Sequence, residues 1–257
     1  MPRGPAFNEG DVSDKASPWR NNPRLSEECP EGYPEGYRDE PQSQCLRAAI
    51  EHWRDRMESL RGIDDLVGRR AAALREEGAL KNTYIVFSSD NGFQMYDNRV
   101  FSKGASYEDS HGVPLIVRGP GVAAGRTDGR LVANIDLAPT FADWAGARTP
   151  SSVDGRSLVP VLSDPRAPWR TRLLFEHRLG NHAYDAIRTS SDEVYIEYPC
   201  TDETEYYGLK EDPYQLDGQA GPPPPTLERQ LQTLKDCAAG ECRRVDAGAS
   251  SRYRPSA

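Results

Sequence analysis

The chain has 257 residues, 37% of them hydrophobic, and a net charge of −8. That acidic balance leaves no basic footprint for nucleic acid, and no run of about 18 apolar residues occurs that would span a membrane. The length suits one large α/β domain, or one domain plus a smaller one, and 22 glycines with 21 prolines predict long irregular segments.

The opening Met1-Pro2-Arg3-Gly4-Pro5 lacks the apolar core of a signal peptide. Residues 1–44 are polar, rich in Pro, Gly and Glu, and without periodicity. They read as an irregular surface segment anchored by Phe7, Trp19, Tyr33 and Tyr37. From Cys45 to Glu77, Leu46, Ile50, Trp53, Met57, Leu60, Ile63, Leu66, Val67 and Leu74 recur at steps of three and four, the stripe of an amphipathic helix. Gly78 supplies its stop. Asp64 and Asp65 within it are read as a solvated face or, less simply, as a metal or acid/base pair.

Tyr84-Ile85-Val86-Phe87-Ser88 reads as a strand buried on both faces of a parallel sheet, the helix before it completing an αβ unit. The strand ends in Ser89-Asp90-Asn91-Gly92. In open α/β sheets ligands bind beyond the carboxyl ends of strands. Asp90 and Asn91 offer hard oxygen ligands suited to Ca²⁺, or alternatively Mg²⁺, and Gly92 permits a sharp turn beneath them. Asp-Asn-Gly is also an ordinary turn, and both readings stand on the residues alone. Lys103 follows, either a solvated lysine or a point charge reaching an anion in the same pocket. Pro114–Val117 is a second short strand and 131–135 a third. Asp136 to Ala145 is a helix with Asp136 as N-cap, Gly146 as stop, and Leu137, Phe141 and Trp144 on its apolar face.

Past residue 165 four strand-like runs, 173–177, 184–188, 194–198 and 205–209, follow one another without helices and should pair antiparallel. A helix from Pro225 to Cys237 closes them, with Leu227, Leu231 and Leu234 inward. His177 is read as structural or as lining a pocket. Five cysteines are an odd number, and none has zinc-like spacing. Cys237 and Cys242, with four residues between them, close a small disulfide loop or remain two thiols.

Several ordered motifs resemble the later half of a sulfatase of the alkaline-phosphatase-like superfamily. They are Ser89-Asp90-Asn91-Gly92, Lys103, Tyr107-Glu108, Val113–Gly121, Asn134–Thr140 and Val153–Leu158. Glu176, Ala186–Thr189 and Glu211–Leu216 extend the likeness towards the C-terminus. The branch it is most similar to is the bacterial arylsulfatases akin to N-acetylglucosamine-6-sulfatase. The resemblance implies an α/β fold. This is a partial alkaline-phosphatase-like sandwich, mostly parallel sheet with flanking helices, plus a small C-terminal antiparallel sheet with one helix. Its divisions would be 1–44 (irregular), 45–165 (second half of the α/β domain) and 166–257 (the subdomain). It implies metal-dependent hydrolysis of a sulfate ester, with Asp90 and Asn91 as calcium ligands, Lys103 on the sulfate group, and a sulfated small molecule or sugar as substrate. A metal-dependent phosphoesterase of the same superfamily is the lesser alternative.

Two family features have no counterpart. The nucleophile is a formylglycine made from a Cys/Ser-x-Pro/Ala-x-Arg motif, and none of the 257 residues forms one. Cys29 precedes Pro30-Glu31-Gly32-Tyr33, and Cys45 precedes Leu46-Arg47-Ala48-Ala49. A first aspartate pair for the metal is also missing. The expectation is therefore a truncated or split product that needs an N-terminal half and is inactive alone. Two local departures accompany this. Tyr96-Asp97-Asn98 stands where the branch has Gly-Glu-His, and Gly112 where it has arginine.

Overall fold

The computed structural model describes residues 4–22, 24, 42–218 and 223–248. Tyr33 and Tyr37, expected as anchors, lie outside them. The chain forms two compact units. One runs through Pro120 and includes Tyr214–Leu216, and the other holds Gly121–Pro213 and resumes at Asp217. The subdomain boundary near 165 read from sequence differs from this division.

In the first unit, α1 (Ser17–Arg20) is one turn and α2 (Gln42–Glu76) is 35 residues long. At 1.5 Å per residue α2 spans about 50 Å. It stops before Gly78, as its sequence predicts. Among the described residues only its first turns reach the buried core. Cys45, Ala48 and Ala49 are buried with Tyr96, against Phe7, Leu46 and Phe101. Further along, Met57, Leu60, Ile63, Leu66 and Val67 are 42–47% exposed. The 3.6-residue period is present, but much of the stripe it creates faces water. Asp64 and Asp65 are exposed on the same helix, a solvated face.

β1 (Ile85–Phe87) pairs with β4 (Ile116–Arg118) in antiparallel register, Ile85 opposite Arg118 and Phe87 opposite Ile116. The expected parallel pairing is not found among the described residues. A parallel pair needs a crossover that returns the chain to the same end. Here residues 88–115 hold only a two-stranded ribbon and the short helix α3 (Glu108–His111), and they bring the chain back reversed. Nor is β1 buried on both faces, since all three residues are half-buried. The ribbon is β2 (Gln94–Met95) against β3 (Phe101–Ser102).

The N-terminal segment is held by a backbone bridge and by side chains. Phe7 bridges to Asp97 and meets Tyr96 edge-on, and buried Trp19 lies beside Tyr107. Lys15, fully buried, donates to the carbonyls of Gln215 (2.7 Å) and Leu216 (2.9 Å) and pairs with Asp14 and Glu9. Asn98 donates to Glu9 (3.3 Å) and to the Tyr214 and Gln215 carbonyls. So Asn98, one of the family departures, is a buried tether in a left-handed turn (φ +52°) that asparagine tolerates.

In the second unit β5 (Arg172–His177), β6 (Tyr184–Thr189), β7 (Glu193–Tyr198) and β8 (Glu203–Gly208) form an antiparallel sheet in sequence order. Helix α6 (Pro225–Lys235) lays Leu227, Leu231 and Leu234 against Ile187 and Tyr195. The antiparallel sheet and its closing helix match the sequence reading. Residues 131–135 do not form the expected strand. A 3-10 turn, Asn134–Asp136, leads into α4 (Leu137–Trp144), and the short α5 (Val159–Ser163) follows. The predicted apolar face of α4 is partly open, with Phe141 48% exposed against Trp144, while Pro139 and Thr140 are its buried residues. Asp136 makes no N-cap bond to α4. Its carboxylate accepts the Ala133 and Arg156 N–H groups and a two-pronged guanidinium from Arg170, wholly out of water. Arg170 and Arg156 also engage Asp246 at the end of α7 (Cys242–Val245), and both lie over Trp169. A Cβ on Gly155 would meet the Ile135 carbonyl at 2.0 Å, so only glycine lets these segments close together. Cys237 and Cys242 are disulfide-bonded. Cys45 is also in a disulfide, and Cys200 is a free, exposed thiol.

Candidate active site

The Asp90-Asn91-Gly92 loop leaves the end of β1, where its sequence places it. Asp90 is exposed, and its Oδ1 accepts the Asn91 N–H at 2.9 Å. Ser89 Oγ donates to the Asn91 carbonyl at 2.9 Å, and Asn91 Nδ2 donates to the Gly92 carbonyl at 2.7 Å. That leaves Asn91 Oδ1 facing Lys103, whose Nζ donates to it at 3.3 Å. Two residues twelve apart in sequence thus meet across the ribbon. Gly92 is needed for close approach more than for a sharp turn. Its N–H donates to the Ser110 carbonyl at 3.0 Å, and a Cβ would sit 2.1 Å from the Asp109 carbonyl oxygen.

The ribbon is strained for its residue types. Tyr96, Asn98, Arg99 and Ser102 all have positive φ, and Ser102, at +100°, directly precedes Lys103. For the tyrosine, arginine and serine such conformations each cost about 1–3 kcal/mol and persist where the surroundings impose them. Behind the ribbon Gln94 is fully buried, bonded to Asn98 and Ser110. Burial, with the nearby Asp109 charge, pushes the Asp97 carboxyl up to about 6. The family-departure positions 96–98 therefore brace the ribbon. At α3, Glu108 donates its N–H to Gln215 Oε1 (2.7 Å) and Tyr107 is buried.

The ligand type and ligand number pull apart. A carboxylate and an amide oxygen suit a hard cation. Two side chains are far short of the six to eight oxygens Ca²⁺ takes, and among the described residues no three His, Cys, Asp or Glu side chains converge. These residues fit calcium in kind and not in number. His177 belongs to the second unit. It stacks on Tyr184, its cross-strand partner, at 5.8 Å, and Glu176 pairs with Arg178.

Sequence reading missed an aromatic brace beside the loop. Phe93, two residues past Asn91, meets Phe101, two residues before Lys103, edge to face at 5.3 Å. His52 on α2 contacts both rings, and the Arg56 guanidinium lies 4.4 Å from the Phe93 centroid. The i, i+4 spacing of His52 and Arg56 was legible, but nothing local said which rings that face would meet.

The mixed helix and sheet of this chain, with its small antiparallel sheet, has its structural neighbours in the alkaline-phosphatase-like sulfatase fold. Residues 19–147 match the family described as Sulfatase, and residues 95–233 match N-sulphoglucosamine sulphohydrolase, C-terminal. The chain belongs to the sulfatase family. It is 35% identical over 182 residues to N-acetylglucosamine-6-O-sulfatase of Bacteroides thetaiotaomicron, covering 66% of this chain and 32% of that one. It is 32% identical over 231 residues to N-acetylglucosamine-6-sulfatase of Bos taurus, covering 74% and 41%. Among solved structures it resembles BT4656 in complex with its substrate D-glucosamine-2-N,6-O-disulfate, with a TM-score of 0.70 and 31% identity over 76% of this chain and 43% of that one. It also resembles a phosphonate monoester hydrolase from Silicibacter pomeroyi, with a TM-score of 0.60 and 27% identity over 67% and 38%. The chain thus spans roughly a third to two-fifths of the curated relatives' length. Among the described residues no helix is long and apolar enough to cross a membrane.

Proposed function

We propose that this chain carries the sulfate-contacting part of a sulfatase site and that its ester substrate is a sulfated amino sugar. The observation that carries the reading is the Lys103–Asn91 contact of 3.3 Å at the exit of β1. Lys103 presents a cation to the oxygens of the sulfate group, where negative charge gathers as the S–O bond breaks. Asn91 Oδ1 holds that cation in place. Asp90 and Asn91 are the residues of this chain that would hold Ca²⁺, with Mg²⁺ as the alternative. The bound ion would supply Lewis-acid neutralisation of the ester oxygens. The named relatives that act on N-acetylglucosamine sulfates support the sugar assignment.

The isolated chain is read as non-catalytic. Its 257 residues contain no Cys/Ser-x-Pro/Ala-x-Arg motif for the nucleophile and two of the needed metal oxygens. That motif and an Asp-Asp pair, supplied from outside these 257 residues, would complete the site. The likeness to a phosphonate monoester hydrolase keeps phosphoester hydrolysis as the second reading. The test is turnover of a chromogenic aryl sulfate and an aryl phosphonate with added Ca²⁺. Neither should be hydrolysed by the chain alone. Robust sulfate turnover lost on Asp90→Ala would overturn the non-catalytic reading, and turnover of the phosphonate alone would move the assignment to the second.

A further inference from the structure

We propose that Arg56, seated on the Phe93 ring, is a second anion contact beside the Asn91–Lys103 pair, taking an acidic substituent of the sugar other than the ester that Lys103 contacts. The inference rests on the reading of Lys103 as the sulfate contact. Its own support is independent of that reading.

Three observations carry it. The first is placement. The Arg56 guanidinium lies 4.4 Å from the centroid of Phe93. Phe93 is two residues past Asn91 and Phe101 is two residues before Lys103, each about 7 Å of chain at most. The two rings are in edge-to-face contact at 5.3 Å. A cation on Phe93 therefore sits on a ring pair that flanks the Asn91–Lys103 contact in sequence.

The second is preorganisation. His52, one turn before Arg56 on α2, stacks with Phe93 at 6.4 Å and meets Phe101 at 5.4 Å. The platform under Arg56 is thus braced from the helix and from the ribbon. A guanidinium lying over a ring keeps its in-plane N–H donors free for a carboxylate or sulfate, which it can grip with two parallel bonds. Because the ring already restrains it, it loses less freedom on binding.

The third is missing compensation. The positions three and four residues away on α2 are His52, Trp53, Ser59 and Leu60, none a carboxylate. Among the described residues neither Arg56 nor Lys103 forms an ion pair. Arg70 and Arg75 on α2 likewise have no carboxylate at those spacings, whereas Arg54 differs. Arg54 has Glu51 and Glu58 at those spacings, the usual arrangement for helix charges. An exposed arginine fixed on an aromatic ring, without an ion pair among the described residues, offers its charge to a ligand.

The test is calorimetric titration of the 257-residue chain with two probes, glucosamine 6-O-sulfate and glucosamine-2-N,6-O-disulfate, at fixed ionic strength. Arg56→Met should weaken the disulfate about five- to tenfold and the monosulfate less than about twofold. Arg54→Met, the control for long-range charge, should change neither by more than about twofold. Lys103→Met should weaken both. If monosulfate binding is intact and Lys103-dependent while Arg56→Met changes the disulfate no more than Arg54→Met does, this inference falls and the sulfate-site reading stands. If Lys103→Met leaves both probes unchanged, or neither probe binds, the sulfate-site reading fails and takes the second contact with it.

Discussion

Arg170→Met is expected to be the most destabilising single substitution in the second unit. Arg170 donates two bonds to Asp136 and one, at 3.0 Å, to Asp246, and it covers one side of Trp169. Asp136 is fully buried and Asp246 is 7% exposed. Methionine fills a similar length but donates nothing, so it strands two carboxylates with one cation fewer. Removing one partner of a buried ion pair costs about 3–5 kcal/mol. The lower end applies here, because Arg156 still reaches Asp246 and the Ala133 and Arg156 N–H groups still reach Asp136. Even about 3 kcal/mol is a large share of the roughly 5–15 kcal/mol that holds a typical domain folded. Urea unfolding would measure it, with Trp19, Trp53 and Trp144 replaced by Phe so that Trp169 alone reports. Adding Asp136→Asn to Arg170→Met removes the stranded charge while keeping an acceptor for one of the two N–H groups, which donate to different oxygens of Asp136. The double variant should therefore lose less than the sum of the singles, by at least about 1 kcal/mol. A single-variant cost under about 1 kcal/mol, or strict additivity, would refute the claim that charge burial sets the energetics.

The Glu9 carboxyl, buried beside Lys15, Asp14 and Asn98, is pushed up to about 7, with desolvation outweighing the pull of Lys15. Because its folded value lies above the ordinary one, its contribution is full below about pH 4.5 and is lost as pH rises through 7. The urea midpoint of the first unit should fall between pH 6 and 8, and Glu9→Gln should flatten that fall. Replacing Cys237 and Cys242 by serine opens a loop of five-residue separation, which should lower the stability of the second unit by about 2 kcal/mol on the chain-entropy account, read by the same denaturation. Leu60→Glu and Ile63→Glu, at positions 47% and 42% exposed, should change the melting behaviour of the isolated chain by less than about 0.5 kcal/mol. A larger loss would mean the α2 stripe is covered in solution.

The periodicities carried far in this chain because they are local. Steps of three and four marked α2 and α6, and alternating β-branched and aromatic runs marked β5 to β8. An unbroken series of strands predicted their antiparallel order, since no helix was present to make a crossover. The Asp90-Asn91-Gly92 loop and Lys103 were legible as residue types suited to a hard cation and an anion, and the ordered motifs identified the family. What the chain order could not supply was meeting across distance. That β1 pairs antiparallel with β4 depends on the path of residues 88–115. That Asp136 serves Arg170 instead of capping α4 depends on a partner 34 residues away. That Lys103 reaches Asn91, and Arg56 reaches Phe93, depends on a strained ribbon packed against a helix. Propensity and period act over a few residues, while charge pairing, ring stacking and strand direction are settled by which distant groups the packing brings within a few ångströms.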